Sequence, residues 1–449
     1  MKLTNGKQLA NAILKSVTGK YMLYAAQLGS MMVLARLFTP EQFGYIAAVQ
    51  VFSIFFILLS EVGIAPAFIN KKVHKKDETD GIFTVTGLIG LAICLLFIFL
   101  APAIADFYND ELYVYIVIPS ALAVVFSGFS VIPTASLQLD CRFITIARCE
   151  VKSEIISLVL SLALMNFIDP VIALSLKFTL FSFFKFLFLW FSSKKTSIGS
   201  AGLSTNFKAI KPLMNFSMYQ FGFNFVNYFS RNLDNILVGK YVGANSLGIY
   251  DQAYKIMRYP LMLLTFAITP AIQPMMKTIA HDNQHFLKMH NKFFNYISLV
   301  GLLVGILVLL FSDLIVLILL GKGWEEVSNI IKMLSLSIPV QIVMSTSGGF
   351  FQASGKVKAL FYSGVITAVI NVTSIVLGVM NGNIVILALF ISIAFQLNFF
   401  ISYYIFSKFV LNICMLDFVK EIKVFVIANF LYVCFVLFIT KDLFYEVLF

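Results

Sequence analysis

The chain has 449 residues, of which 60% are hydrophobic and 12% are charged, and its mean hydropathy is +0.91. These values lie far outside the soluble range, so they exclude a soluble globular protein and predict an integral membrane protein. The net charge of +11 is concentrated in loops between apolar stretches, so it does not indicate nucleic-acid binding. The five cysteines are scattered without a C-x-x-C pair, which predicts neither a disulfide framework nor a zinc site.

Apolar stretches long enough to cross about 30 Å of hydrocarbon recur along the whole chain. The N-terminal segment is polar and basic and lacks the short apolar core of a cleaved signal peptide, so the first span is predicted to be retained. Thirteen spans are predicted, at 12–38, 41–69, 80–105, 112–138, 143–168, 170–192, 212–239, 245–276, 293–320, 327–352, 357–380, 383–407 and 422–440.

The charge of the loops predicts the orientation. Lysines cluster near the N-terminus and in alternate loops, as at Lys71, Lys72, Lys194 and Lys195, whereas the intervening loops are acidic or neutral. Because positive loops stay in the cytoplasm, the N-terminus is predicted to be cytoplasmic and the C-terminus, after an odd number of spans, to lie outside.

The longest polar interruption is the Gly/Ser/Thr-rich stretch Ser192–Pro212, which predicts a cytoplasmic linker between two halves. The predicted domains are an N-terminal six-helix lobe at 1–193, the linker at 194–211, a C-terminal six-helix lobe at 212–410 and an additional helix at 411–449.

The two halves carry related local patterns at an offset of 204 residues. Arg36-x6-Phe43-Gly44 aligns with Lys240-x6-Leu247-Gly248, and the segment Ile64–Ala67 aligns with Ile268–Ala271. An even number of spans between the copies makes them parallel repeats. The predicted fold is therefore an all-α membrane protein with two parallel six-helix lobes around a central cavity, plus a thirteenth helix; substrate sites in such transporters lie between the halves.

The segment Asn227–Met276 concentrates charge in apolar surroundings, where each charge at the bilayer centre costs at least ~3 kcal/mol. Its ionisable residues are Arg231, Asp234, Asp251, Lys255 and Arg258. With a turn at Gly243, both Arg231 and Lys255 lie about 18 Å from the turn. Asp251, Lys255 and Arg258 share one helix face, which predicts a mainly basic patch for an anionic ligand. Asp234 is predicted to hold Arg231 and to exchange ions or protons, and a purely structural ion-pair cluster stays open as the alternative.

Further charges interrupt the other predicted spans. Arg148 and Lys152 share one face of the fifth span, and Glu150 and Glu154 share another. Two interpretations of these charges stay open: a ring of charged residues at the membrane interface, or the entrance of a cavity. Lys177 lies about 10 Å from the outer end of the sixth span, so snorkelling explains it less well than it explains Lys185. Arg148, Lys152 and Lys177 are therefore substrate-binding candidates. Glu61 is a candidate for coupling or charge pairing.

Several motif classes are missing from the sequence. The four histidines (His74, His281, His285 and His290) are predicted to lie in cytoplasmic loops, so no intramembrane histidine relay is expected. No phosphate-binding Gly-rich loop or ATPase motif occurs, and neither a metal nor another cofactor is predicted. The predicted external loops do not exceed about ten residues, which counts against a membrane polymerase or ligase.

The segment Leu34–Tyr45 (LARLFTPEQFGY) resembles the first hairpin of bacterial polysaccharide transporters, the Wzx-type flippases for O-antigen and related repeat units. Other similar stretches are Glu61–Ile64, Arg231-Asn232-x-Asp234 through Gly239-Lys240, Leu247-Gly248-x-Tyr250, Pro260, Leu320-Gly321-x-x-Trp324 and Ser354–Lys356. The resemblance covers roughly residues 10–410.

The resemblance implies membership of the superfamily that includes multidrug extruders and the lipid II flippase, in the bacterial inner membrane. It implies alternating access, an undecaprenyl-pyrophosphate-linked oligosaccharide as substrate, and a positively charged cavity that Arg231, Lys255 and Arg258 would fit. A proton or sodium ion for coupling and polysaccharide polymerases as partners are expected. The thirteen predicted spans differ from the twelve or fourteen usual in the family. A multidrug-type antiporter is the alternative, and three basic residues disfavour its usual cationic substrates.

Overall fold

The computed structural model describes residues 6–61, 64–70, 75–211, 228–229, 231–441 and 443, and all regular elements within them are helical. The chain divides into two compact units, Met1–Lys240 and Tyr241–Phe449. The helices of the first unit are α1 (Gly6–Leu34), α2 (Pro40–Glu61), α3 (Ile64–Asn70), α4 (Lys76–Phe99), α5 (Ala101–Tyr108), α6 (Leu112–Leu139), α7 (Phe143–Leu164), α8 (Pro170–Ser193) and α9 (231–241).

The second unit begins with the last residue of α9 and continues through nine further helices. They are α10 (Ala244–Lys277), α11 (Asn283–Leu310), α12 (Ser312–Leu319), α13 (Glu325–Ser335), α14 (Ile338–Ala353), α15 (Val357–Met380), α16 (Ile384–Phe406), α17 (Met415–Glu421) and α18 (Lys423–Ile439). A π-helical segment at Ser407–Leu411 extends α16, and a short 3-10 helix at Phe207–Ile210 follows α8 in the first unit.

Local sequence signals set several helix starts. The Asp169 carboxylate accepts hydrogen bonds from the backbone N–H groups of Val171 and Ile172 at the start of α8, and Pro170 provides a fixed φ at the first helical position. Asp282 caps α11, and Asn383 caps α16, in the same way. These caps satisfy backbone donors that have no partner within the helix.

Seven helices in the described part of the chain are long and apolar enough to cross a membrane, or up to nine if each of two bent pairs forms one span. The bent pairs are α13–α14, at 59°, and α17–α18, at 79°. The prediction of an all-α membrane protein is confirmed. The count of thirteen and the six-plus-six arrangement stay predictions, because residues 212–227 of the seventh predicted span lie outside the described residues.

The starts of two helices agree with the repeat offset. α2 begins at Pro40 and α10 at Ala244, which are 204 residues apart, and Gly44 and Gly248 are buried at the same position in each helix. The predicted alignment of Ile64–Ala67 with Ile268–Ala271 cannot be compared, because the side chains of residues 268–271 are outside the described part of the structure. The lobe relationship therefore stays a prediction.

α6 is the central helix of the first unit and packs against α2, α4, α5 and α8. Its contact with α4 is backbone to backbone, since a Cβ placed on Gly128 would lie 2.6 Å from the carbonyl oxygen of Thr86. Small residues at such crossings let helices approach closely where the solvent is lipid.

The predicted linker is an ordered part of the first unit. The backbone N–H of Gly202 donates to Asp80 on α4 at 2.8 Å, and the Ser197 hydroxyl donates to Asp140 after α6 at 2.6 Å. The linker thereby ties the ends of two helices together. The predicted domain boundaries at 193 and 212 are not tested by this, and they stay predictions.

The prediction for the histidines was wrong for His285 and His290. Asp282 starts α11 at Asn283, ten residues before the predicted span, so both lie within a helix. His290 is 1% exposed, and its ring lies 4.8 Å from those of Phe350 and Phe406. Its Nδ1 lies 3.1 Å from Oδ1 of Asn291. His74 lies outside the described residues.

Candidate functional site

The predicted turn at Gly243 separates two helices that carry the candidate charges. Gly243 has φ of +103°, a conformation that residues with a Cβ rarely adopt, and α10 starts at the next residue. Arg231 and Asp234 lie on α9 in the first unit, whereas Asp251, Lys255 and Arg258 lie on α10 in the second.

On α9 the two predicted partners have different surroundings. Arg231 is exposed, whereas Asp234 is 5% exposed and accepts a hydrogen bond from the backbone N–H of Asn235 at 2.9 Å. Within the described residues, no ion pair joins Arg231 to Asp234. Next to this helix, the buried hydroxyl of Tyr228 donates to the carbonyl oxygen of Val51 on α2. This bond anchors the chain that leads into α9.

On α10 the structure joins two of the three predicted residues. Lys255 Nζ lies 2.6 Å from Asp251 Oδ2, one helical turn away, and Asp251 is the more buried of the two. The guanidinium carbon of Arg258 lies 4.3 Å from the ring centre of Tyr254, in a cation–π contact. Such a contact involves the face of the guanidinium rather than its in-plane N–H donors. Arg258 is exposed.

α7 and α8 are joined by two ion pairs that the sequence did not predict. Lys177 Nζ lies 2.6 Å from Glu154 Oε1, and Lys185 Nζ lies 2.9 Å from Glu150 Oε1. The Glu154 side chain is 5% exposed and that of Lys177 is 16% exposed. Lys185 therefore has a carboxylate partner as an alternative to snorkelling. The sequence feature that could have predicted these pairs is two glutamates one helical turn apart on α7 followed by two lysines on α8.

The other candidates on these helices are exposed. Arg148 and Lys152 lie on α7, on a different face from its two glutamates, as predicted. Glu61 is the last residue of α2 and is exposed. Among the described residues, Arg148, Lys152 and Arg231 form no ion pair. Lys177 and Lys255 thus each have a carboxylate partner, whereas Arg148, Lys152 and Arg231 have none among the described residues.

The described residues include no group of three or more His, Cys, Asp or Glu side chains placed to hold a metal ion. Two polar cavities lie at helix ends. One, of about 320 Å³, is lined by Asp106, Asn109, Asp110 and Glu111, and the other, of about 270 Å³, includes Ser246, Glu326, Asn329 and Asn383. Neither is lined by a predicted site residue.

Solved structures share the fold. A lipid II flippase, MurJ, in an inward closed conformation superposes with a TM-score of 0.71 at 16% identity, covering 96% of this chain and 100% of that one. An inward-facing multidrug resistance MATE family transporter of the MOP superfamily has a TM-score of 0.67 at 10% identity, covering 87% of this chain and 96% of that one. At these identities the likeness is one of fold alone.

Sequence relatives come from polysaccharide assembly. The lipopolysaccharide biosynthesis protein WzxC of Escherichia coli (strain K12) is 23% identical over 392 residues, 85% of this chain and 77% of that protein. The teichuronic acid biosynthesis protein TuaB of Bacillus subtilis (strain 168) is 22% identical over 354 residues, 78% of this chain and 72% of that protein. The profile of the family described as "Polysaccharide biosynthesis protein" matches residues 33–329. Because this match spans more than half of the chain, the protein is a multi-pass membrane member of the polysaccharide biosynthesis protein family.

Proposed function

We propose that this protein is a flippase that moves undecaprenyl-pyrophosphate-linked oligosaccharides from the cytoplasmic to the periplasmic leaflet by alternating access. The observation that carries the proposal is a pair of exposed arginines, Arg231 on α9 and Arg258 on α10. The sequence predicts both helices to be spans, and the relatives of the chain are named for lipopolysaccharide and teichuronic acid biosynthesis. The fold shared with a lipid II flippase supports the same class of cargo. The protein acts as a transporter and not as an enzyme.

The chemistry of the cargo explains why arginines are needed. A pyrophosphate and its sugars cannot cross hydrocarbon unshielded, because the loss of hydration is not offset there. Arginine donates in a planar fork that matches two phosphate oxygens, whereas lysine acts as a point charge. Arg231 and Arg258 are assigned to the diphosphate. Arg148 and Lys152, exposed on α7, are assigned to the approach of the anionic headgroup.

The paired lysines have a second role in this scheme. Lys177 and Lys255 already neutralise Glu154 and Asp251, so an arriving diphosphate competes with a carboxylate for each ammonium group. A carboxylate released in this way would take up a proton or a sodium ion, because an unpaired charge in a membrane is costly. Asp234, which is buried, and Glu61 are the other coupling candidates.

The cellular setting follows from the cargo. The protein works in the bacterial inner membrane with a cytoplasmic N-terminus, as the lysine-rich alternate loops predict. Its product, a lipid-linked repeat unit on the periplasmic side, is the substrate that a polysaccharide polymerase requires. Transient contact with such a polymerase is part of the proposal.

A reconstituted assay tests the function. Proteoliposomes carrying undecaprenyl-pyrophosphate-oligosaccharide are probed with a membrane-impermeant glycosidase that reaches only the outer leaflet. We expect the cleaved fraction to rise from half towards completion with the wild-type protein and to stay at half with Arg231→Ala or Arg258→Ala. Loss of movement in the variants with normal reconstitution supports the assignment; no movement with the wild type overturns it.

The likeness to a MATE family transporter supports a second candidate, a small-molecule antiporter. The same vesicles distinguish it, because an antiporter of cationic drugs would drive efflux of a cationic dye under a proton or sodium gradient. The flippase proposal predicts no dye efflux above that of empty vesicles. Dye efflux without lipid movement would favour the second candidate.

A further inference from the structure

The α13–α14 pair bends at a break that lies next to a proline, Pro339. Two residues, Leu336 and Ser337, separate the helices, which meet at 59°. Pro339 lies four residues after Ser335 and has no N–H group, so the carbonyl oxygen of Ser335 loses its helical donor. Ser335 is fully buried, so water cannot replace that donor cheaply.

Side chains from two other helices donate hydrogen bonds to the backbone carbonyl groups at the break. Tyr432 on α18 donates to the carbonyl oxygen of Ser335 at 3.0 Å. From α16, Gln396 donates to that of Leu336 at 2.7 Å, and Ser392 to that of Met333 at 2.8 Å. Tyr432 and Gln396 thus replace two missing helical hydrogen bonds, whereas the Met333 carbonyl oxygen also accepts from the backbone N–H of Leu336 at 3.3 Å. The last carbonyl groups of α13 are engaged by protein donors, which argues against a cation site at the break.

Asn429 on α18 fixes the orientation of one of these donors. Its Nδ2 donates to Gln396 Oε1 at 2.9 Å, so the Gln396 amide must present its NH₂ group to Leu336. Asn429 is 7% exposed, and Tyr432 is 4% exposed. Both residues of α18 therefore act on the break from a buried position.

The packing around Tyr432 allows little displacement. A Cβ on Gly305 of α11 would lie 2.9 Å from the Tyr432 hydroxyl oxygen, and one on Gly301 would lie 3.2 Å from Pro339. Gly301 and Gly305 form a G-x-x-x-G pair, the spacing that lets membrane helices approach closely. α11 thus holds both the proline and the tyrosine against the break.

We propose that Asn429 and Tyr432, on the last helix, are positioning residues that set the bend of the α13–α14 span. Without them the buried carbonyl groups lose their donors, and the span relaxes towards a straighter or more mobile arrangement. The consequence for transport rests on the proposed function, because a bent span would have to keep its angle while the protein changes state. The bend itself does not depend on any substrate.

Distance measurement between spin labels tests the proposal. Cysteines at Glu326 and Gln352, both exposed, are labelled in a background lacking the native cysteines and measured by double electron–electron resonance. From 1.5 Å of rise per residue, straightening the 59° bend would lengthen the span by about 5 Å. We expect Tyr432→Phe and Asn429→Leu each to raise the population ratio of longer to native distances by about tenfold.

Tyr362→Phe on α15 is the matched control, because that tyrosine is 62% exposed. Tyr432→Phe keeps the ring, so its packing and the folded state should survive. An unchanged distance distribution in both α18 variants would overturn the proposal, as would the same change in the control. In the glycosidase assay the α18 variants should move the lipid-linked oligosaccharide more slowly than the wild type. A longer distance with wild-type lipid movement leaves the bend assignment intact and removes only its link to transport.

Discussion

The ammonium group of Lys177 lies 2.6 Å from a carboxylate oxygen of Glu154, and both side chains are largely buried between α7 and α8. Breaking such a pair from one side strands a charge, which costs about 3–5 kcal/mol. We expect Glu154→Gln alone to lower the melting temperature clearly. The double variant Glu154→Gln with Lys177→Gln should recover most of it, as measured by thermal unfolding in detergent.

The same double variant separates a structural role from a substrate role for Lys177. If the lysine binds the diphosphate in transit, the double variant is stable but transports poorly. Wild-type export from the double variant would show that the pair only stabilises the contact between α7 and α8. Lys420→Gln, which breaks the exposed Lys420–Asp417 pair, is the control and should change neither stability nor export.

A second prediction concerns Arg231 and Asp234. Arg231→Ala should abolish surface polysaccharide while the protein remains folded in the membrane, because an exposed cation on α9 would be lost without disturbing an ion pair. Lysine should substitute poorly, since it lacks the planar fork. The measurement is polysaccharide export at matched expression, with Lys288→Ala, which removes an exposed cation from α11, as the control.

The double neutralisation Arg231→Gln with Asp234→Asn decides between binding and pairing. If Arg231 only balanced Asp234, removing both charges would restore export. We expect it not to, because Asp234 is buried and bonded to the backbone of Asn235 whereas Arg231 is exposed. Wild-type export from the double variant would remove Arg231 from the binding residues.

Much of the fold could be predicted because each apolar stretch has the length of a span and its own boundary signal. The start of α8 at Pro170 and of α10 at Ala244 lie at the predicted positions to within one residue. By contrast, α11 starts ten residues early, because a cap at Asp282 extends the helix through polar sequence that hydropathy assigns to a loop.

The site was harder to predict than the fold. A sequence gives the face of a helix on which a charge lies, so the Asp251–Lys255 pair within α10 follows from spacing. It does not give the rotation of one helix against another, which is why the pairing of Lys177 with Glu154 was missed. The break at Pro339 was missed for a related reason, because the donors that stabilise it come from helices distant in sequence.

A third prediction concerns Tyr254, which lies under the Arg258 guanidinium at 4.3 Å. Tyr254→Phe keeps the aromatic face and should keep most export, whereas Tyr254→Leu removes it and should lower export several-fold, since the contact contributes about 0.5–2 kcal/mol. Export is scored at matched expression. Equal loss in both variants would point to the hydroxyl group and not to the ring.

A fourth prediction concerns the direction of the last helix. The alternation of basic and neutral loops predicts that the chain after α18 lies outside the cytoplasm. A reporter active only in the cytoplasm, fused after Lys441, should therefore be silent, and the same reporter fused after Lys195 should be active. A strong signal at the first position would show that the bent α17–α18 pair does not cross.

The last prediction concerns the linker that follows α8. Asp80 accepts a hydrogen bond from the Gly202 N–H and pairs with Lys76 at 2.9 Å, so its carboxylate joins α4 to the linker. Asp80→Ala should loosen the linker and speed trypsin cleavage after Lys194 and Lys195, both exposed, in inside-out vesicles. Asp80→Asn keeps an oxygen that can accept the hydrogen bond from the Gly202 N–H, so trypsin should cleave this variant at close to the wild-type rate. If both variants are cleaved faster than wild type and at the same rate, Lys76, which Asp80 positions on α4 and which donates to the carbonyl oxygen of Ser200, holds the linker, and not the bond to Gly202. If neither variant differs from wild type, Asp80 is not what orders the linker.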